Sequence, residues 1–262
     1  MIPDMLDPLH SHLAGLPPAA VLYTDLDNTL LGPAGSLLTA ADGRPSLAAA
    51  EALVAAAEAG LTIVPVSGRG RAQMMSDIRL LGLSDFVAEV GAVIFRAGEV
   101  AYEWGECPRG LADTPHDAMV AAGAVSALLD GFDGDLRHYE PWHRNREGGH
   151  LFHGLVDVEE ADVVLAEAGC EWAYLCDNGA TGGWSGREVR AYHLLPRGVG
   201  KAKAVADDLA VRGLDRSQAA AVGDSLEDRT IASAVATYLQ VSNGHGAPGG
   251  NIFAVPGAMG SG

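Results

Sequence analysis

The chain has 262 residues, 48% of them hydrophobic, and a formal net charge of −17. That length admits one large domain or two smaller ones, with ample material for a core. So acidic a surface repels nucleic acid and anionic membrane, which excludes both as partners, and an anionic substrate then needs a local cation to hold it.

No stretch resembles a membrane span. The start, MIPDMLDPLHSHLAGLPPAA, lacks the basic end and apolar centre of a signal peptide. Three cysteines, Cys107, Cys170 and Cys176, have no metal-ligand spacing and point to a reduced, cytoplasmic protein. Its oligomeric state is not legible.

The first hundred residues alternate strand and helix. AAVLYT is a strand, and PSLAAAEALVAAAEAG is a helix with Pro45 near its start and Gly60 just past its end. LTIVPVS is the next strand, and RAQMMSDIRLLG a helix closed by Gly82. DFVAEV is a short strand, and GAVIFRAGEVAYEW a hairpin turning at Ala97 and Gly98. Near-continuous apolar strands between helices predict a parallel sheet covered on both faces.

The middle changes character. A helix is expected over residues 116–130, then GHLFHGLVDV, a helix EEADVVLAEAG, and strands EWAYLCDNG and REVRAYHLLP, with RNREGG and GGW marking loops. This is an α+β pattern with an antiparallel sheet. From Gly200 the first style returns, with helix KAKAVADDLAVRG, strand AAAVGDS, helix EDRTIASAV and strand TYLQVS. The expected organisation is an α/β core of residues 1–108 and 197–262, interrupted by an insertion at 109–196. The Gly-rich tail from Gly244 is expected to be loosely held.

Four short stretches carry chemistry. Asp25 and Asp27 stand at the end of the first strand, where parallel sheets bind ligands. Two like charges there call for a neutralising cation, and carboxylates suit Mg²⁺, although a solvated capping turn has comparable claim. Asp224 ends a second strand, and Asp228 follows four residues on, facing the same end if a helix starts near Ser225. Ser67 and Gly68 end a third strand; hydroxyl and free N–H groups suit a phosphate oxygen, while a plain capping Ser is the commoner case. Lys201 and Lys203 are the only lysines in the chain. Lys201, at a helix start, opposes the dipole and so implies a facing anion; Lys203 reads as surface.

In this order, DLDNTLL, VSGR, GVGKAKAV and GDSLED resemble the four motifs of the haloacid dehalogenase-like hydrolase superfamily, over nearly the whole chain. The insertion resembles the C2-type cap of its Cof-like, sucrose-phosphatase-like and mannosyl-3-phosphoglycerate-phosphatase-like branches. The resemblance implies a doubly wound, Rossmann-like sheet with an α+β cap, and a Mg²⁺-dependent phosphatase. It makes Asp25 the nucleophile and Asp27 the general acid and base, whose backbone carbonyl also binds Mg²⁺. Thr29 braces the loop, Ser67 and Gly68 hold phosphate, and Lys201 neutralises charge. Asp224 and Asp228 complete the metal set with Asp25 and Asp27. The chain departs from the family pattern at Asn28, Val90 and Glu227.

The stretch 136–153 concentrates His138, His143, His150 and His153 with Arg137, Arg144 and Arg146. It reads either as a loop binding a phosphorylated sugar or second anion, through His143, Arg144 and Arg146, or as a solvated loop. Tyr139 and Trp142 stack on a sugar or belong to the core. Zinc is disfavoured, because no Cys or His-x-x-x-His supports it. The expected activity is hydrolysis of a small phosphorylated metabolite, a sugar phosphate, through an aspartyl-phosphate. The alternatives are a phosphomutase or a non-catalytic phosphate sensor.

Overall fold

The structure is a computed structural model that describes residues 2–184 and 186–260. In chain order it opens with α1 (Ile2–Leu13), β1 (Val21–Thr24), α2 (Ala48–Glu58), β2 (Thr62–Pro65), α3 (Arg71–Leu81), β3 (Phe86–Ala88), β4 (Val93–Arg96) and β5 (Glu99–Tyr102). The middle holds α4 (Pro115–Ala121), α5 (Ala124–Gly131), β6 (Leu136–His138), β7 (His150–Gly154), α6 (Val158–Glu167), β8 (Ala173–Trp184) and β9 (Arg187–Pro196). The last part holds α7 (Lys201–Arg212), β10 (Ala219–Gly223), β11 (Thr237–Gln240) and β12 (Ile252–Ala254).

Five strands form a parallel sheet in the order β12-β11-β10-β1-β2. β1 lies between β10 and β2, pairing Thr24 with Val222 on one side and Pro65 on the other. The carboxyl ends of β1, β2 and β10 therefore come out side by side. A bridge between Val66 and Val87 brings β3 alongside, and β3-β4-β5 form an antiparallel sheet. Val21, Tyr23, Val64, Ala221 and Tyr238 pack with Val205 and Leu209 of α7 into one core. The middle segment has its own four-stranded antiparallel sheet, β6-β7-β9-β8. It also has its own core, in which Leu128, Phe152, Leu165, Tyr192 and Leu194 are all buried.

Local chemistry departs from the sequence expectations in four places. Gly123, at φ 85, adopts a left-handed conformation and splits the helix expected over 116–130 into α4 and α5. Beyond Asp224 the chain makes a 3₁₀ turn, Asp228–Ser233, in place of an α-helix. There Thr230 Oγ1 and Ser233 Oγ donate to the carbonyls three residues back, at 2.6 and 2.8 Å, which favours the tighter winding. GGW belongs to the end of β8, a strand with register shifts between Asp177 and Ala180 and between Thr181 and Trp184. The tail is not loose. It supplies β12, and the N–H of Gly260 donates to Thr29 O at 3.1 Å, beside the first motif.

The insertion's histidines fill a stack. His116 lies on His150 at 3.9 Å between ring centroids, and His138 lies on His143 at 4.6 Å. Burial, with His116 nearby, pushes the His150 imidazole down to about 3, while its Nε2–H donates to the His116 carbonyl at 3.0 Å. An unfolded chain binds a proton there below about pH 6.5, and the folded chain does not until about pH 3. Stability conferred above pH 6.5 is therefore lost as pH falls, at ~1.4 kcal/mol per pH unit. Denaturant titrations at pH 7 and pH 5 should differ in this direction, and replacing His150 with Asn should flatten the difference. Equal slopes in the two proteins would contradict this role.

Candidate active site

The carboxyl ends of β1, β2 and β10 converge on one buried cluster. Lys201, the first residue of α7, reaches up so that its Nζ donates to Asp25 Oδ1 at 3.1 Å and to Asp228 Oδ1 at 2.6 Å. All three side chains are almost wholly buried. Burial works against the ammonium, but Asp228 and Asp25 outweigh it and hold its pKa well above the lysine range. Burial would also raise Asp228. Lys201, together with donors from Ser225, outweighs this and keeps its carboxyl below the usual value. Asp25 has the longer contact with the ammonium; its own burial, with Asp228 and Asp224 nearby, raises it well above the carboxylate range.

Asp224 completes the cluster. Thr29 Oγ1 donates to it at 3.3 Å, and burial with the neighbouring Asp228 pushes it up to about 6. One oxygen each from Asp25, Asp224 and Asp228 lies within 4.8 Å of the others. That spread is close to what oxygens ~2.1 Å from a single hard cation occupy. Three acids against one lysine leave an excess of negative charge that a divalent ion offsets. The residues present therefore fit a hard-metal site.

Ser67 continues β2 into the same cluster. It is buried, its N–H donates to Val87 O at 2.9 Å, and its hydroxyl accepts from the Arg69 N–H at 3.3 Å. Asp27 lines the cleft half-exposed. The Arg69 fork holds it, with Nε on Oδ2 at 2.9 Å and Nη2 on Oδ1 at 2.5 Å, while Nη1 binds Asp77 at 2.7 Å. Both Asp27 oxygens accept from the fork, each with a lone-pair site left over. Lys203 is surface, paired with Asp207.

Above the cluster lies a cleft of about 1020 Å³, walled by core and insertion together. From the insertion it is lined by Tyr139, Trp142, Arg146, Asp177, Arg190 and His193, among others. Of the three insertion residues expected at substrate, the structure brings only Arg146 to this lining. His143 stacks on His138, and Arg144 is largely exposed against Glu140 at 2.9 Å. Arg146 itself is deeply buried, donating to the Gly68 carbonyl at 2.7 Å.

Arg69, Arg190 with its partner Asp177, and His193 escape notice in the sequence. A signal existed for His193: it is one polar residue in a strand, REVRAYHLLP, whose other inward positions are apolar. Arg69 carried no such mark, because its partner lies 42 residues away.

No protein-family model and no curated protein matches the sequence. Solved structures do. The sucrose-phosphatase of Synechocystis sp. PCC6803, solved with sucrose and phosphate, is 17% identical with a TM-score of 0.65, over 94% of this chain and 95% of that one. A haloacid dehalogenase-like hydrolase from Bacteroides thetaiotaomicron is 16% identical with a TM-score of 0.57, over 87% and 90%. A HAD subclass IIB sugar phosphatase is 18% identical with a TM-score of 0.58, over 87% and 89%. The chain has the haloacid dehalogenase-like fold. Within that fold Asp25, Ser67, Lys201 and Asp224 occupy four adjacent chain ends around one cavity, with the four-stranded sheet of the insertion facing them as a cap.

Proposed function

We propose that this chain is a Mg²⁺-dependent phosphomonoesterase, acting through an aspartyl-phosphate on Asp25. The observation that carries the reading is the Lys201 ammonium bridging Asp25 and Asp228 beside Ser67, at the mouth of a parallel sheet. Mg²⁺ held by Asp25, Asp224 and Asp228, with the Asp27 carbonyl, would offset charge on the phosphoryl group in transfer. Asp25 attacks phosphorus, and the P–O bond to the leaving alcohol breaks. Asp27 gives that alcohol its proton and then takes one from the water that releases phosphate. Lys201 holds the Asp25 carboxylate in line, and Ser67 with the Arg69 N–H binds a phosphoryl oxygen.

The cleft also bears on the leaving group. Every Arg and Lys among its described lining residues already faces a carboxylate: Arg69 faces Asp27, Arg146 faces Glu89, Arg190 faces Asp177 and Lys201 faces Asp25. Among these residues no spare cation remains for a second anionic group, which favours the phosphorylated-sugar reading of the 136–153 stretch over the second-anion one. Tyr139, Trp142, Asp177 and Thr181 offer an aromatic face and hydroxyl-binding oxygens. An uncharged polyol, as in a sugar phosphate, suits them. The likeness to sugar phosphatases supports the same choice. A cytoplasmic enzyme with a small metabolite as partner accords with the three free cysteines. No described helix is long and apolar enough to cross a membrane.

Asp27→Asn tests the covalent route. The nucleophile stays, while proton delivery and water activation go. An aryl phosphate, whose leaving group needs little protonation, should still phosphorylate Asp25 and leave the adduct stranded. Intact-mass spectrometry should then find a phosphate adduct that is absent from Asp25→Asn. No adduct in Asp27→Asn, with wild type turning over, would count against the assignment.

A further inference from the structure

Arg146 comes from the insertion but ends inside the core. One face of its guanidinium meets Glu89, with Nε 3.6 Å from Oε2. Glu89 is wholly buried in the core and binds the chain around Arg146 as well: it accepts the N–H groups of Glu147 at 3.1 Å, Gly148 at 3.0 Å and Gly149 at 3.2 Å. The two glycines make this approach possible. A Cβ on Gly148 would lie 2.3 Å from that of Ala92, and one on Gly149 would lie 2.5 Å from the Leu194 carbonyl oxygen. The carboxylate and the run of N–H groups form a catch that seats Arg146 in one place.

Nη2 of the same guanidinium meets two groups of the candidate site. Nη2 donates to the Gly68 carbonyl at 2.7 Å and to His193 Nδ1 at 3.3 Å. The first contact sets a peptide. In a trans peptide the C=O and N–H point opposite ways, so a fixed Gly68 carbonyl fixes the Arg69 N–H on the other side. That N–H donates to Ser67 Oγ at 3.3 Å, a long contact that a phosphoryl oxygen bound beside Ser67 would take over. The second contact sets a tautomer. Arginine has no acceptor, so His193 Nδ1 accepts and its proton sits on Nε2. Burial, Arg146 and Lys201 all keep that ring neutral. His193 lines the cleft, with Nε2 against Gly68, 3.2 Å from where a Cβ would stand.

We propose that Arg146 is a positioning residue: seated by Glu89, its guanidinium orients the Arg69 N–H and the His193 Nε2–H as a pair of donors toward the substrate phosphoryl group. The donor pair is complete only while the insertion is docked on the core, so phosphate affinity and docking are linked. This rests on the phosphatase reading above.

Binding of inorganic phosphate in the presence of Mg²⁺, read by titration calorimetry, tests it. Removing Arg146 alone strands the Glu89 charge and endangers the fold, so the main variant is Glu89→Gln with Arg146→Met, which removes both charges. Its phosphate dissociation constant should rise about tenfold, the loss expected for one charge-assisted hydrogen bond, while its Mg²⁺ affinity stays as in wild type. Arg146→Lys, which keeps one cationic nitrogen but loses the planar guanidinium that Glu89 seats, should fall between the two. In wild type, ¹⁵N NMR should show His193 neutral with the proton on Nε2. Unchanged phosphate affinity in the double variant, or an Nδ1-protonated His193, would overturn the proposal. Wild type that binds Mg²⁺ but no phosphate would remove the phosphatase reading and this inference with it.

Discussion

Asp25→Asn is expected to lower phosphatase turnover by about four orders of magnitude or more, because the carboxylate proposed to take the phosphoryl group is gone. The fold should survive. Asn fills the same space, and its carbonyl oxygen can still accept from the Lys201 ammonium, now 3.1 Å from Asp25 Oδ1. It also relieves a carboxylate that burial, Asp228 and Asp224 all oppose in its charged form. Melting temperature should therefore match or exceed wild type. Turnover within tenfold of wild type, measured as phosphate release from an aryl phosphate, would remove Asp25 from the chemistry. A collapse in melting temperature would make the activity loss uninformative and would assign Asp25 a structural role.

Lys201→Met is expected to damage stability and activity together. The ammonium sits between Asp25 and Asp228 and, among the described residues, carries the only positive charge in direct contact with both. Without it two buried carboxylates face each other with no counterion. Breaking one partner out of a buried ion pair costs about 3–5 kcal/mol. In a chain of this size that is roughly 5–10 °C of melting temperature. Mg²⁺ separates this from ordinary cavity damage, because a divalent ion replaces the lost charge. Added Mg²⁺ should raise the melting temperature of the variant by more than it raises that of wild type, while turnover stays low. An equal shift in the two proteins would mean that Lys201 does not share its charge with the metal site.

The parts of the site closest to the strands were the most legible. Asp25, Ser67 and Asp224 each end an apolar run, and a parallel sheet brings such ends together whatever the loops do. Lys201 showed itself through scarcity and through its unfavourable place at a helix start. The substrate side was far less legible. Arg144 and Arg146 look alike in RNREGG, yet one is solvated against Glu140 and the other is buried against Glu89. That difference depends on a core residue 57 positions away in the chain and on two glycines thin enough to let the backbones meet. The fork of Arg69 on Asp27 is hidden for the same reason. Gly123, which splits a helix, could be read as a breaker only once its left-handed conformation was seen. Val90, one of the departures from the resembled pattern, holds a left-handed φ of 61° that a β-branched residue rarely adopts.

Phosphate release from a panel of phosphomonoesters, with Mg²⁺ and with chelator, tests the central claim most directly. The panel should pair phosphorylated neutral sugars and polyols with analogues that carry a second phosphate or a carboxylate. The account predicts release that requires Mg²⁺, with kcat/KM for the best neutral substrate about ten- to a hundredfold above its doubly anionic analogue, the cost of placing a charge where every cation is already paired. Release indifferent to chelation, or a preference for the doubly anionic members, would contradict it.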